Sequence, residues 1–240
     1  MAGWNPWHGC HKYSPGCAHC YVYRIDKKHG RDSTIVTRTG QFRLPVQRDR
    51  QGQYKLQPDG DYVYTCFSSD FLLDEADPWR GEAWDMIRSR SDLRFFFITK
   101  RIRRIGTCLP PDWGNGWENV TIGCTCEDQT RADERLPVFL QTPLCHRHII
   151  CEPLLGPVDL SPYLTDGIEQ VLAGGESGTG ARVCDIEWVL SLREQCMRAG
   201  IPFVFKQTGA CFRKDGRIYT IPRQHQHSQA VRSGLSWSPR

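Results

Sequence analysis

Short, almost continuously apolar runs recur along the chain at the spacing of strand-helix units, and this pattern limits the fold more than any other feature. The clearest runs cover residues 62–67, 94–98, 119–124, 148–151, 169–173 and 202–205, after an opening strand expected over 4–9. Continuous rather than alternating hydrophobicity is what parallel strands covered on both faces require. The segments between them carry helix ends. Asp77 and Pro78 open a helix expected to reach about Arg90 with Ala83, Trp84 and Ile87 inward, Asp77 as its cap. Asp185 caps another through Ile186, Val189, Leu190 and Met197, stopped by Gly200 and Pro202. Strand, helix, strand in succession implies right-handed crossovers and a parallel sheet. The expected fold class is therefore α/β: a parallel (β/α) barrel, complete or partial, TIM-barrel-like, or its open-sheet counterpart.

Bulk properties remove whole classes of protein. A chain of 240 residues with 39% apolar and 24% charged residues and a mean hydropathy of −0.51 is neither disordered, collagen-like nor membrane-embedded. No run approaches the length of a membrane span, and the start lacks the basic and apolar regions of a signal peptide, so a cytoplasmic location with no membrane partner is expected. The formal charge is only +4, but it is unevenly spread. Residues 24–55 hold nine basic and three acidic side chains, and residues 212–240 hold six and one. Such segments suit a nucleic-acid or nucleotide partner, and equally a solvated loop and a solubilising tail. The expected division is a barrel domain over 1–211, with an N-terminal cysteine loop, and a basic extension over 212–240. The stretch 224–228 has no apolar period to pack that extension, which is expected to help hold an anionic substrate.

Each predicted strand runs into a polar group: Asp70, then Lys100 and Arg101, Glu127, Glu152, Gly174-Gly175-Glu176, and Lys206. Carboxyl ends of parallel strands converge on one face, where α/β folds build their sites. Asp70, Glu152 and Lys206 are the strand-end candidates for catalysis.

Twelve cysteines are many for a chain without an export signal, where disulfides are not expected and thiols serve as small core residues or as metal ligands. Most are scattered. Cys10, Cys17 and Cys20 share one polar, turn-rich segment in which Pro15 and Gly16 fold the first back toward the close pair. Three thiolates without a fourth suit a zinc completed by His8, His11 or His19, or a [4Fe-4S] cluster with one iron left open. Cys124-Thr125-Cys126 is too tight to be a second knuckle. An open iron can chelate S-adenosyl-L-methionine and pass it an electron, releasing a 5′-deoxyadenosyl radical, the cofactor carrying the hard step.

The run Trp4-Asn5-Pro6-Trp7-His8-Gly9-Cys10, followed by Ser14-Pro15-Gly16-Cys17-Ala18-His19-Cys20-Tyr21, resembles the opening of the phage-associated three-cysteine-motif proteins, a family grouped with radical-SAM barrels. The likeness continues through Phe67-Ser68-Ser69-Asp70, Thr99-Lys100-Arg101, Gly123-Cys124-Thr125, Glu152-Pro153-Leu154-Leu155-Gly156-Pro157, Gly174-Gly175-Glu176-Ser177-Gly178 and Phe205-Lys206-Gln207. The resemblance implies fold and cofactor far better than substrate. Two departures stand out. Six residues separate Cys10 from Cys17, where the common radical-SAM signature has three, and the Gly-Gly-Glu segment follows a late strand instead of the second. The leading expectation is a radical-SAM iron-sulfur enzyme that cleaves S-adenosyl-L-methionine with an external one-electron donor and acts on a nucleic acid or nucleotide. Cys10, Cys17 and Cys20 would hold the cluster. His19 and Tyr21 would pack on the adenine, Gly174, Gly175 and Glu176 would take the methionine amino group, Lys100 or Arg101 its carboxylate, and Glu127 the ribose hydroxyls. The alternative is a zinc-stabilised nucleic-acid-binding protein without redox chemistry.

Overall fold

The computed structural model describes residues 2–239, in two compact units. The first comprises Met1–Tyr13, Val22–Gly123 and Thr142–His146. Its strand β1 (Ala2–Trp4) stops at Asn5-Pro6, because a proline has no N–H to give a ladder. The strand expected over 4–9 is accordingly broken in two. β2 (Trp7–His8) follows, then α1 (Tyr21–Lys28) and β3 (Thr37–Arg38), the antiparallel partner of β2. Next come β4 (Tyr62–Thr65), α2 (Asp77–Ser89), β5 (Arg94–Thr99), the short α3 (Ile105–Cys108) and the start of β6 (Val120–Thr125). β4 lies parallel to β1, with Ala2 against Val63, and parallel to β5. The core is aromatic: Phe71 stacks on Phe97 at 4.6 Å and meets Trp84 edge-on at 4.9 Å. A short 3-10 turn, Asp74–Ala76, runs directly into α2 and makes Ala76 the cap, so Asp77 is the first helical residue and pairs with Arg104 at 2.8 Å. Ala83, Trp84 and Ile87 are buried as expected.

The second unit comprises Ser14–Tyr21, Cys124–Gln141 and Arg147–Arg240. It carries the end of β6, α4 (Gln129–Gln141), most of β7 (His146–Cys151), β8 (Gln170–Gly174), β9 (Cys184–Asp185), α5 (Ile186–Ala199) and β10 (Phe203–Gln207). After these come β11 (Cys211–Lys214), β12 (Arg217–Thr220) and α6 (Arg223–Arg232). β8 lies parallel to both β7 and β10. α5 begins as its sequence demands: the Asp185 carboxylate accepts the Glu187 N–H at 3.0 Å, and Gly200 closes the helix at φ +70°. Its buried face is Val189, Leu192 and Cys196, while Leu190 and Met197 lie half-exposed.

The seven main strands form one parallel sheet in the order β1-β4-β5-β6-β7-β8-β10. A smaller sheet runs β12-β11-β9. The architecture is thus α/β, as the runs predict. The segment 212–240 differs from its expectation: it is folded into the second unit. Gln226 and Ala230 of α6 are buried, and Trp237 and Phe203 exchange backbone hydrogen bonds at 2.8 Å. Two buried side chains and one backbone bridge tie down a segment in which no apolar period is visible. No helix among the described residues is long and apolar enough to cross a membrane.

Candidate functional site

Within the first unit, Cys10 follows β2 and lies near the carboxyl ends of β4 and β5. Gly9 precedes it at φ +97°, where a side chain would strike the Ile35 carbonyl. Two ties fix the Cys10 backbone: its N–H donates to the Ser33 carbonyl at 2.7 Å, and its own carbonyl accepts from the Tyr23 hydroxyl. Ser33 is itself held, its hydroxyl donating to Asp26 at 2.6 Å, and Asp26 also faces His8 Nε2 at 2.8 Å. Burial pushes the Asp26 carboxyl up, but the Ser33 and His8 contacts outweigh it and hold the group below its ordinary range.

The Cys10 thiol faces Arg101 Nη1 at 3.7 Å. Arg101 also donates to the His11 carbonyl at 2.8 Å and lies 3.5 Å from Asp70. Asp70 is buried and saturated, accepting from the Thr99 hydroxyl at 2.8 Å and from the Leu72 and Lys100 N–H groups at 3.0 Å each. A carboxylate so engaged fixes the strand ends. The Lys100 side chain remains partly exposed.

Within the second unit, the turn holding Cys17 and Cys20 is latched at two points. A 3-10 turn, Pro15–Cys17, brings the Gly16 N–H to Glu127 Oε1 at 3.2 Å, and the Ser14 hydroxyl donates to the same oxygen. The other Glu127 oxygen accepts from Arg135 at 2.7 Å, and Arg135 reaches the Thr125 carbonyl at the same distance. Glu127 is fully buried. A Cβ on Gly16 would lie 3.0 Å from its carboxylate, so the turn sits directly on this group.

The second latch is Glu176, just beyond β8. His19 Nδ1 lies 3.0 Å from its Oε2, and the Arg182 backbone N–H donates to the same atom at 2.9 Å while the guanidinium grips both oxygens. Burial raises the Glu176 pKa, but Arg182 outweighs it with help from His19, and the carboxyl titrates below its ordinary range. Neither the Cys17 nor the Cys20 thiol has a hydrogen-bond partner among the described residues, and both are partly exposed. Tyr21 opens α1 with its ring 40% exposed.

A third polar group closes the strand ends of this unit. Glu152, next to the cis peptide before Pro153, accepts from Lys206 Nζ and from Gln207 Nε2 at 2.8 Å each. Gly174 and Gly175 have a packing reason: a Cβ on Gly175 would lie 2.2 Å from the Thr208 carbonyl, where β8 meets the chain leaving β10.

Five of the six remaining cysteines of this unit contrast with the loop pair; the sixth, Cys211, is partly exposed. Cys124, Cys126, Cys151, Cys184 and Cys196 are buried, burial pushing the thiols of Cys184 and Cys196 up to about 12 and raising those of Cys126 and Cys151 as well. All twelve cysteines are free of disulfides. Among the described residues no three His, Cys, Asp or Glu side chains are gathered as a ready metal set. The donor chemistry of the loop pair nevertheless fits a metal: two partly exposed, uncommitted thiols with two residues between them in a turn of fixed backbone.

Sequence reasoning missed Arg135, Arg182, the contact of Ser14 with Glu127, and the pairing of His8, offered there as a zinc ligand, with Asp26 and Ser33. Arg135 had a signal, an arginine on the α4 face that also carries Ala132, Leu136 and Phe139, and such a buried cation needs a carboxylate. Arg182 had none beyond its place in a glycine-rich loop. The chain belongs to a family of proteins of unknown function, DUF5131, whose model matches residues 1–237. No curated protein and no solved structure matches it.

Proposed function

We propose that this member of the DUF5131 family is a cytoplasmic radical S-adenosylmethionine enzyme built on a partial parallel (β/α) barrel. Cys10, Cys17 and Cys20 would hold its [4Fe-4S] cluster, and its substrate would be a nucleic acid or nucleotide. The observation that carries this reading is the latched turn. A fully buried carboxylate and a second paired one are spent on holding a short loop whose two thiols are left uncommitted. Such supporting contacts are what a ligand loop needs, since partners beyond the ligands fix their orientation. When bound, the cluster would supply one electron, drawn from an external donor, to the sulfonium of S-adenosylmethionine and release the 5′-deoxyadenosyl radical.

The protein groups then divide by what they already bind. Glu127 and Glu176 position the cysteine turn. Arg101 donates to the Cys10 sulfur and fixes the following backbone through the His11 carbonyl. The groups proposed for the cofactor and substrate are the partly exposed Lys100 ammonium for a carboxylate, the exposed Tyr21 for adenine, and the Glu152-Lys206 pair for proton or amine contacts.

One observation favours the alternative of a zinc-stabilised nucleic-acid-binding protein. His19 faces Glu176 through Nδ1, which leaves Nε2 for a metal in the carboxylate-histidine arrangement usual at zinc. Anaerobic purification decides between the two. Brown protein with iron and sulfide that forms 5′-deoxyadenosine after reduction with S-adenosylmethionine supports the enzyme. Colourless protein with stoichiometric zinc and no such product overturns it.

A further inference from the structure

We infer that the β11-β12 ribbon is a docking surface for single-stranded nucleic acid, with Lys214 and Arg217 on phosphates and Tyr219 stacked on a base. The proposal deepens the nucleic-acid part of the preceding reading and is independent of its cofactor.

The ribbon is a built element. Its turn, Asp215-Gly216, has φ values of +51° and +71°, the backbone of a two-residue type I′ turn, whose twist matches the strands it joins. β11 is anchored at its base by parallel pairing with β9, by Phe212 packed on Phe205 at 5.9 Å between ring centroids, and by Arg213 paired with Asp185 at 3.2 Å. β12 is an edge strand, exposed along its whole length.

The ribbon presents two like charges side by side. Lys214 and Arg217 lie directly opposite each other, and like charges in that position destabilise a hairpin. Among the described residues neither has a carboxylate within ion-pair distance, whereas Arg131, Arg135, Arg182, Arg198 and Arg213 of the same unit each have one. Register puts Tyr219 on the same face, two residues from Arg217, and the residue is 45% exposed. Ile218 is 55% exposed on the other face.

Two adjacent cations without anions, beside an exposed aromatic ring, are complementary to a phosphate backbone with unstacked bases. Electrostatic attraction along the strand and stacking on aromatic rings are the two forces of single-strand binding. A protein partner with an acidic edge would use the charges but leave the ring without a role.

The test is fluorescence anisotropy of the full chain with an oligothymidylate of roughly 20 nucleotides across a salt series. K214A/R217A should weaken binding severalfold at low salt and reduce the log-log salt slope by about 1.4. Tyr219→Ala should weaken binding about tenfold with the slope unchanged. Arg198→Ala, an exposed arginine paired with Glu194 on α5, is the control and should bind as the parent does. Thermal melting of each variant guards against misfolding: these side chains are exposed, so no variant should melt below the parent. Parental affinity and slope in K214A/R217A, or a preference for duplex of the same length, overturns the proposal. The assay does not need iron or S-adenosylmethionine, so absent 5′-deoxyadenosine with intact strand binding counts against the enzyme and leaves the ribbon standing.

Discussion

In the second unit the loop cysteines and the buried cysteines differ in every property relevant to ligation, while Cys211, partly exposed at the start of β11, belongs to neither set. Cys17 and Cys20 sit in a polar turn, partly exposed, their sulfurs uncommitted and their backbone latched to Glu127 and Glu176. Cys124 is buried in β6, and Cys126, Cys151 and Cys196 are enclosed just beyond β6, in β7 and in α5, where loss of water disfavours the thiolates of these last three. The thiolate is the ligand, so burial makes the second set poor donors and good packing. A cysteine's neighbourhood, more than its spacing, separates chemistry from core. Cys124-Thr125-Cys126 looks like a motif in sequence and is the buried end of a strand.

The sharpest way to break the comparison is substitution in each set. Cys17→Ala or Cys20→Ala should abolish iron incorporation during anaerobic reconstitution, as should Cys10→Ala, while Cys151→Ala keeps the full complement by colorimetric iron and sulfide assay. Iron retained in Cys17→Ala would place the ligands elsewhere. Next in size is Glu127→Ala. It strands Arg135 without its carboxylate in a buried site, and urea unfolding should show a loss of about 3–5 kcal/mol. If stability is unchanged, the turn is not resting on this group.

Within the core set, Cys196→Ala should cost about 1 kcal/mol by the same measurement, the scale of removing one buried heavy atom. The smallest effect concerns the second latch. The Glu176 carboxyl titrates below its ordinary value of 4.5 in the folded protein, so its pairing contributes stability above that pH and loses it as pH falls through the lowered value. Arg182→Ala removes the pairing. The melting temperatures of parent and variant should differ at pH 7 and converge toward pH 3. A constant gap across that range would mean Arg182 acts through packing alone.

Much of the framework was visible in the residues. All six apolar runs are strands within one or two residues of their expected ends, because a strand covered on both faces has no polar position to blur it. Asp185 and Gly200 marked α5 by capping chemistry, which is local. What failed was non-local or compositional. The burial of Gln226 and Ala230 depends on β10 offering a surface, and no periodicity in 224–228 encodes that. The exposed Leu190 and Met197 show that apolar character alone does not choose a helix face. At the candidate site, the strand-end carboxylates were identifiable. Their partners were not, since Ser14 with Glu127 and Glu176 with Arg182 are pairings of position rather than of motif.

The pairing of β1 with β4 has a practical consequence for handling the protein. Ala2 against Val63 clamps both ends of the long excursion that carries Cys10 and α1, and the excursion leaves the clamp through the exposed residues 57–60 before β4 begins. Lengthening a loop whose ends are already held costs little, about 0.6 kcal/mol for each doubling. A peptide epitope or a fluorophore-accepting tag inserted between Asp59 and Gly60 should therefore leave melting nearly unchanged. That makes this stretch a place to fit a reporter that follows the protein without touching either terminus or any cysteine.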